Sequence, residues 1–247
     1  DLVHFYPDPG PLDILRDITF AQAPMGMVVG SNGRILRSTD SGGSWTPMVS
    51  GTPGYLTNLA HASGSTYLTA GPSVLLRSTD GGISWSVVPG SDGLQHLTCA
   101  GATCFGSGTS TVVKSVDAGA TWVLSGSLAG ESIQAMAQLD ATTIIVSTTT
   151  GMFRSTSSGQ YWERFDLPDF EWVRRIQFYD ASHGIAVGDN GFAIRTGNSG
   201  GNAVPVASIE GPLTATCTNA NVTFQNLGDP AWTYQWLVNG APTATSY

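Results

Sequence analysis

The chain has 247 residues and a formal net charge of −8, and only 11% of its residues are charged. Its acidity and single lysine argue against a nucleic-acid-binding face and against attraction to an anionic membrane surface. No apolar run reaches the length of a transmembrane helix, so membrane insertion is not expected either. The 31 Gly and 13 Pro residues favour many short strands joined by tight turns.

The chain begins with a short strand-like segment, Leu2 to Tyr6, followed by a turn rich in Pro and Gly. This strand has no hairpin partner nearby, so we expect it to be the outer strand of a sheet whose other strands lie elsewhere. The chain starts at Asp1 without an initiator Met or a signal peptide, and we interpret it as a fragment or a processed form.

Five repeats follow, each opening with the same apolar pattern, h-x-x-h-x-h. The patterns begin at Leu15, Leu56, Leu94, Ile133 and Val173, at intervals of 41, 38, 39 and 40 residues. Two further strand-like segments, a turn and a last short strand complete each repeat. A period near 40 with four strands predicts the blades of a β-propeller. We expect an all-β fold of about five four-stranded blades, forming either an incomplete ring or one closed by Leu2 to Tyr6 pairing with the fifth blade.

The most regular part of the repeats is the turn S-x-D-x-G-x-[ST]-W, to which the match is close in three copies, partial in the fourth and weak in the fifth. The Asp is suited to accept hydrogen bonds from backbone N–H groups two or three residues on, the Gly supplies a positive φ, and the Trp is suited to pack under its own blade or against the next. The turn residues that we assign to the fold are Ser38, Asp40, Gly42, Trp45, Ser78, Asp80, Gly82, Trp85, Ser115, Asp117, Gly119, Trp122, Ser155, Gly159 and Trp162.

The Asp residues of these turns could be taken for a set of catalytic carboxylates, but the repeat places each Asp on a different blade. Catalytic carboxylate pairs lie within several ångströms of each other. We therefore predict no catalytic residue among them, and we interpret the basic residue that precedes each turn as structural too. Those basic residues are Arg37, Arg77, Lys114, Arg154 and Arg195.

The turn motif resembles the Asp-box, or bacterial neuraminidase, repeat. Sialidases of that class would need an arginine cluster, a Tyr/Glu pair and an F/Y-R-I-P motif, and the motif is missing here. The segment Arg174 to Thr196 is most similar to propellers of the photosystem II assembly and stability factor kind and their bacterial relatives, which are mostly secreted or surface proteins. The photosynthetic factor carries an arginine-rich face, of which this chain has only Arg164, Arg174 and Arg175.

Cys99 and Cys104 flank a short turn between two strand-like segments. We predict a disulfide across this hairpin, which would stabilise the fold by roughly 2 kcal/mol and imply an oxidising, extracytoplasmic compartment. Two small buried thiols are the alternative. The four His residues are scattered without metal-ligand spacing, so no metal or other cofactor is expected.

The loop from Glu163 to Trp172 is the richest in aromatic and charged residues. Loops on a rigid scaffold carry recognition, so we predict ligand contact on this loop and just after it. The candidate binding residues are Asp166, Asp169, Phe170, Glu171, Trp172, Arg174 and Arg175. The alternative is that Trp172 caps the blade core and the acids are solvated.

The repeat pattern ends near residue 203, so we predict a propeller over 1–203 and a second domain over 204–247. The second segment, with Tyr234-Gln235-Trp236, resembles the opening half of a PKD-like or immunoglobulin-like sandwich. The implied protein is a non-enzymatic, secreted or cell-surface bacterial protein that binds or adheres to a protein or a glycan. The alternatives are a sialidase-like glycoside hydrolase or its carbohydrate-binding remnant, and a protein like the photosystem assembly factor.

Overall fold

A computed structural model describes residues 14–91, 93–165 and 171–198, together with the backbone of two later strands. The chain divides into two compact units, Asp1–Gly201 and Asn202–Tyr247. In the second unit, β20 (Tyr234–Val238) and β21 (Ala241–Ser246) pair as an antiparallel hairpin. The PKD-like or immunoglobulin-like sandwich is not shown by these two strands and stays a prediction, as does the domain boundary at 203. Cys217 lies outside the described residues.

In the first unit, the described strands form one antiparallel sheet per repeat, with the strands in chain order. The all-β propeller of five blades is thereby confirmed. Four blades have four strands, and three strands of the fifth are described. The strands are, in blade 1, β1 (Leu15–Gln22), β2 (Met25–Gly30), β3 (Ile35–Ser38) and β4 (Thr46–Met48); in blade 2, β5 (Asn58–His61), β6 (Tyr67–Gly71), β7 (Val74–Ser78) and β8 (Ser86–Val87); in blade 3, β9 (His96–Ala100), β10 (Thr103–Ser107), β11 (Thr111–Ser115) and β12 (Val123–Ser127); in blade 4, β13 (Ile133–Gln138), β14 (Ile144–Thr148), β15 (Met152–Ser155) and β16 (Glu163–Arg164); and in blade 5, β17 (Val173–Phe178), β18 (Gly184–Gly188) and β19 (Ala193–Thr196).

The first strand of each blade is innermost, and it packs beside the first strand of the next blade. The two ends of the blades form two distinct faces. At one end, which we call the Asp-box face, the motif turn bonds to the first hairpin turn, as in Ser41 N–H to the Pro24 carbonyl (2.8 Å). At the other end, the loop face, the segments that join one blade to the next bond to the second hairpin turn, as in Leu56 N–H to the Gly30 carbonyl (3.0 Å).

The core consists of four clusters, and each is shared by two neighbouring blades. Successive residues of a strand point to opposite sides of the sheet, so one set faces the preceding blade and the other faces the next blade. Leu59 of blade 2, for example, packs with Met27 of blade 1, whereas Leu68 packs with Leu97 of blade 3.

The motif tryptophans are half-buried and contact these shared clusters. Trp85 joins the cluster of blades 1 and 2, Trp122 that of blades 2 and 3, and Trp162 that of blades 3 and 4. Trp45 packs edge-on against Phe20 of its own blade. The other three tryptophans pack toward the preceding blade. The turn reverses the chain direction, so the Trp ring lies over the Gly of its own motif. The carbonyl of that Gly accepts a hydrogen bond from the indole N–H in Trp85 (3.1 Å) and Trp122 (3.2 Å).

In blades 1 to 3 the basic residue before the Asp-box turn links its blade to the next one, whereas Arg154 Nε of blade 4 is buried without a hydrogen-bond partner. Arg37 Nε donates to the Gly81 carbonyl (2.7 Å) and Arg77 Nε to the Ala118 carbonyl (2.9 Å), while Lys114 Nζ donates to Ser158 Oγ (2.9 Å). In each pair the receiving residue belongs to the Asp-box turn of the following blade. We call the five residues at this position the staple residues: Arg37, Arg77, Lys114, Arg154 and Arg195.

The fifth blade meets the first blade at the propeller axis, where Arg175 Nη2 lies 3.4 Å from Asp17 Oδ1. The segment Leu2 to Tyr6, which was predicted to close the ring, lies outside the described residues. Its pairing with blade 5 therefore stays a prediction.

Removing a staple should destabilise the propeller only where the staple is made. Replacing Arg77 by Met keeps the apolar stem but leaves the Ala118 carbonyl without its charged donor, so we expect the free energy of unfolding to fall by about 1–2 kcal/mol. Arg195→Met is the matched control, because Arg195 is exposed and donates to no acceptor among the described residues. Denaturant titration of both variants gives the comparison, and equal losses would mean that the staple bond contributes nothing specific.

Candidate functional site

The Asp-box carboxylates are occupied by the turns that contain them. Asp40 Oδ1 accepts hydrogen bonds from Ser38 Oγ (2.8 Å) and from Ser44 N–H (2.8 Å), and Asp40 Oδ2 accepts one from Ser44 Oγ (2.7 Å). Asp80 and Asp117 make the same bonds in their own turns. The N–H donors lie three or four residues on, not the predicted two or three, because two consecutive residues in the left-handed region widen the turn.

Only one of those two left-handed positions was predicted from the sequence. Gly42, Gly119 and Gly159 have positive φ as expected, but so do the residues just before them: Ser41 (60°), Ala118 (56°) and Ser158 (60°). A side chain in this region is uncommon. The hydrogen bond from the motif Gly N–H to the first Ser of the turn, as in Gly119 N–H to Ser115 Oγ (2.8 Å), holds the backbone there.

A central cavity of about 690 Å³ lies on the propeller axis and is lined by the inner strands of all five blades. In four of the five blades, the third residue of the inner-strand pattern makes a polar contact to the neighbouring blade around this cavity; in blade 4 this residue is the buried Ala135. Asp17 Oδ2 accepts from Leu59 N–H (2.9 Å), Asn58 Nδ2 donates to the Gln95 carbonyl, and His96 Nε2 lies 3.3 Å from the Ile133 carbonyl. Arg175 completes the set with its contact to Asp17.

The described lining of this cavity is polar and carries a single carboxylate. Among the described residues that line it, Asp17 is the one carboxylate, and it is already held by Leu59 N–H and Arg175. Burial lowers the pKa of His96 below its usual 6.5, so His96 is neutral at neutral pH. A glycosidase of the two-carboxylate kind needs a second acid close by, and the described lining supplies none.

The predicted binding loop separates into two parts. Asp166, Asp169 and Phe170 lie outside the described residues. Arg175 points to the axis, whereas Glu171, Trp172 and Arg174 lie together on the loop face of blade 5. There they meet the turn Asp189–Gly191, which the sequence did not single out as functional.

The loop-face group is held by a connected set of polar contacts. Arg174 donates from Nε and Nη2 to the two carboxylate oxygens of Asp189 (2.8 and 2.7 Å), and its guanidinium carbon lies 5.3 Å from the centre of the Trp172 ring. Asn190 Nδ2 donates to Glu171 (3.1 Å). We call these five residues the blade-5 loop cluster: Glu171, Trp172, Arg174, Asp189 and Asn190.

This cluster presents an aromatic ring to solvent in a fixed orientation. Trp172 is 46% exposed, and the Arg174 guanidinium covers part of its ring while being fixed by a bidentate bond to Asp189. The same bond lowers the pKa of Asp189 and raises that of Arg174, so both groups stay charged. Such an aromatic residue beside a fixed charge pair is suited to bind an apolar side chain and a neighbouring polar group of a ligand.

Asp17 and Asp189 are site residues that sequence reasoning missed, and Asn190 lies in a short turn that was not among the candidate binding residues. The turn Asp189–Gly191 does carry a signal, because it repeats the Asn-Gly turn of Ser31–Gly33 with an added acid. No three His, Cys, Asp or Glu side chains gather as a metal site in the part of the chain that the structure describes. None of the helices found there is long and apolar enough to cross a membrane.

Comparison with known proteins finds similarity to an assembly-factor family over part of the chain and to solved β-propellers in fold. A family model described as "Photosynthesis system II assembly factor YCF48" matches residues 11–122, which contain most of blades 1 to 3. No curated protein matches the chain.

Among solved structures, "YCF48 from Cyanidioschyzon merolae" is 21% identical with a TM-score of 0.63, over 88% of this chain and 73% of that one. "YCF48 bound to D1 peptide" is 17% identical with a TM-score of 0.61, over 74% of this chain. The chain spans 63% of the length of that peptide-bound protein. An ancestral GH74 enzyme is 18% identical with a TM-score of 0.56, over 70% of this chain but only 27% of the enzyme. At sequence identities this low, the similarity to these solved structures shows a shared fold and no more.

The Asp-box hydrogen bonds predict an acid-sensitive fold. These hydrogen bonds hold the pKa of Asp40 and of Asp117 at about 2, below the usual 3.8. The largest effect comes from Ser44 at Asp40 and from Thr121 at Asp117. The unfolded chain therefore takes up protons first as the pH falls, so the stability that these bonds supply is present above about pH 4 and is lost between about pH 4 and pH 2.

We expect Asp117→Asn to show a smaller fall in melting temperature across this range than the wild type, as measured by circular dichroism. Glu171→Gln is the control, since Glu171 is exposed and accepts from a side chain rather than from backbone N–H groups. If the wild type and Asp117→Asn had the same dependence on pH, the turn carboxylates would not be the acid-sensitive groups.

Proposed function

We propose that this chain is a non-catalytic, protein-binding propeller that takes up a segment of a partner polypeptide on the loop face of blade 5. The observation that carries this proposal is the exposed Trp172 ring, fixed beside the bidentate Arg174–Asp189 pair. Aromatic and Arg side chains are enriched among the residues that dominate protein interfaces. A fixed ring also loses little conformational entropy on binding.

The relatives support a polypeptide ligand. The structure titled "YCF48 bound to D1 peptide" has the same fold, and its title records a peptide ligand for that protein. By contrast, the loop cluster has one half-exposed aromatic ring and no second ring to form a sugar-stacking platform within the described residues. A glycan ligand, which the sequence left open, is therefore the weaker alternative.

A second candidate function is assembly of a membrane protein complex, as performed by the photosystem II assembly factor. The family match over residues 11–122 favours it. The net charge of −8 weighs against an arginine-rich docking face of the kind that the resemblance implies. Both candidates share a polypeptide ligand, so a D1 peptide serves as a separate probe.

We also propose that the protein acts in an extracellular or cell-surface compartment. The support is the disulfide between Cys99 and Cys104, which joins the edges of the β9–β10 hairpin in the structure. Disulfides of this structural kind persist mainly where the environment is oxidising.

Peptide binding tests the loop cluster directly. Wild-type protein is applied to a library of immobilised peptides, to a D1 peptide and to a glycan array. We expect retained peptides, with Trp172→Ala and Arg174→Ala each binding them about tenfold more weakly, as loss of one central contact implies. Tyr161→Ala is the matched control, because Tyr161 is 78% exposed but lies in the Asp-box turn of blade 4 on the opposite face.

Unchanged peptide binding by both cluster variants would remove the blade-5 loop cluster from the functional account. Retention of glycans but not peptides would replace the proposed ligand class. Circular dichroism of each variant ensures that a loss of binding is not a loss of fold.

The compartment is tested by the state of the cysteines after export. Protein directed through a secretion pathway and alkylated without reductant should leave Cys99 and Cys104 unlabelled, whereas alkylation after reduction should add a label to each. Intact-mass measurement distinguishes the two states. Free Cys99 and Cys104 thiols in freshly exported protein would contradict the proposal for the compartment.

A further inference from the structure

The Cys99–Cys104 disulfide joins two directly opposite residues of β9 and β10, which are separated by only 5 positions in the chain. A cross-link constrains the unfolded chain less when the loop that it closes is short, so this bond adds less stability than most disulfides do. Other blades hold the corresponding pair of residues without a covalent bond: His61–Tyr67 in blade 2, Gln138–Ile144 in blade 4 and Phe178–Gly184 in blade 5. The fold of a blade therefore does not require a disulfide at this position.

The two cysteines differ in their access to solvent. Cys104 is 0% exposed and packs in the core cluster that blades 2 and 3 share. Cys99 is partly exposed and lines the central cavity of about 690 Å³, a volume that admits a small thiol. A thiol in this cavity therefore meets Cys99 and not Cys104. That asymmetry suits thiol–disulfide exchange, because exchange begins with attack on one accessible sulfur.

The turn between the two cysteines is linked to both neighbouring blades. Its Ala102 carbonyl accepts from Ala118 N–H (2.9 Å) in the Asp-box turn of blade 3, and the Ala118 carbonyl accepts from the staple residue Arg77 of blade 2 (2.9 Å). On the other side, Gln138 Nε2 of blade 4 donates to the Thr103 carbonyl (3.2 Å). The disulfide holds the two strands together at the base of this turn, so its state bears on the hydrogen bonds at both junctions of blade 3.

We propose that the Cys99–Cys104 disulfide is a redox-active site, which a small dithiol in the central cavity reduces while the protein stays folded. One thiolate of the dithiol attacks Cys99 Sγ and breaks the S–S bond, so that Cys104 leaves as a thiolate and takes up a proton. The second thiol of the dithiol then displaces Cys99, which is protonated as the dithiol closes into a cyclic disulfide. The two electrons and two protons that the dithiol loses are gained by the two cysteines.

Reduction has a structural consequence at the junction of blades 2 and 3. Without the cross-link, the β9–β10 turn is held by its backbone hydrogen bonds alone, and the bond from Ala118 N–H to the Ala102 carbonyl weakens. The Ala118 carbonyl, which receives Arg77, then loses part of its support. The disulfide thus sets the strength of one blade junction according to the dithiol content of the surroundings. This site goes beyond the peptide-binding function proposed above and shares no residue with the blade-5 loop cluster.

Thiol labelling tests the access of the two sulfur atoms. Cys99→Ser and Cys104→Ser, each combined with Cys217→Ser so that one thiol remains, are treated with an aromatic disulfide reagent under native conditions. We expect the Cys104→Ser variant, which keeps Cys99, to react at least about a hundredfold faster, because Cys104 reacts only after local opening of the blade. The two rates should become equal in denaturant. Equal rates in the two folded variants, with folding checked by circular dichroism, would overturn the proposal.

Reduction of the wild type tests the reaction itself. The protein is incubated with dithiothreitol in the absence of denaturant, and alkylation followed by peptide mapping measures the free thiols at Cys99 and Cys104. We expect both thiols to appear at a rate proportional to the dithiothreitol concentration while the circular dichroism spectrum stays native. Reduction that occurs only in denaturant, or whose rate is limited by unfolding at every dithiothreitol concentration, contradicts a redox-active site in the folded protein.

Hydrogen exchange of the oxidised and the reduced protein tests the consequence for the blade junction. We expect the Ala118 amide to exchange about tenfold faster after reduction, because its acceptor is less firmly held. The amides of Ser41, Gly81 and Ser158 make the same bond to the first hairpin turn of blades 1, 2 and 4, so they are internal controls and should be unchanged. An unchanged Ala118 amide, or an equal rise at all four amides, would refute the coupling between the disulfide and this junction.

Discussion

The hydrogen bond from a basic side chain to the Asp-box turn of the next blade, made at the first three blade junctions, is the interaction on which the arrangement of blades 1 to 4 depends. It joins the most regular part of one repeat to the most regular part of the following repeat. The turn must hold its carbonyl in place, and the Ser and Asp side chains do so by binding the turn's own N–H groups. The Asp carboxylates, which resemble catalytic groups in the sequence, are therefore used to hold the turns in shape.

The two faces of the propeller therefore differ in how their polar groups are used. The Asp-box face is filled by turns whose polar groups are satisfied internally. The loop face is built from longer and more variable segments, and its blade-5 loop cluster holds an aromatic ring and a charge pair open to solvent. The proposed recognition site accordingly lies on the connecting segments of the loop face, opposite the Asp-box turns.

Much of the fold could be predicted from the sequence because its signals are local and repeated. The turn motif and the h-x-x-h-x-h patterns locate the five blades. The ring of axial contacts could not be predicted in the same way, because Asp17, Asn58, His96 and Arg175 share a position but not a residue type. The predicted binding loop separated for a related reason: Arg174 lies at a register shift in the β17–β18 pairing and bonds to Asp189, whereas Arg175 contacts Asp17.

The receiving end of each staple has a further consequence. The accepting residues are Gly81, Ala118 and, through a side chain, Ser158, and the two carbonyl acceptors belong to different residue types. A backbone carbonyl is present whatever the side chain, so the link survives most substitutions at that position provided that the turn keeps its shape. Repeats built in this way can drift apart in sequence while their junctions remain intact, and adjacent blades need not change in concert. The turn of blade 4, in which Ser157 stands at the position of the motif Asp, still receives its staple, there through the Ser158 side chain.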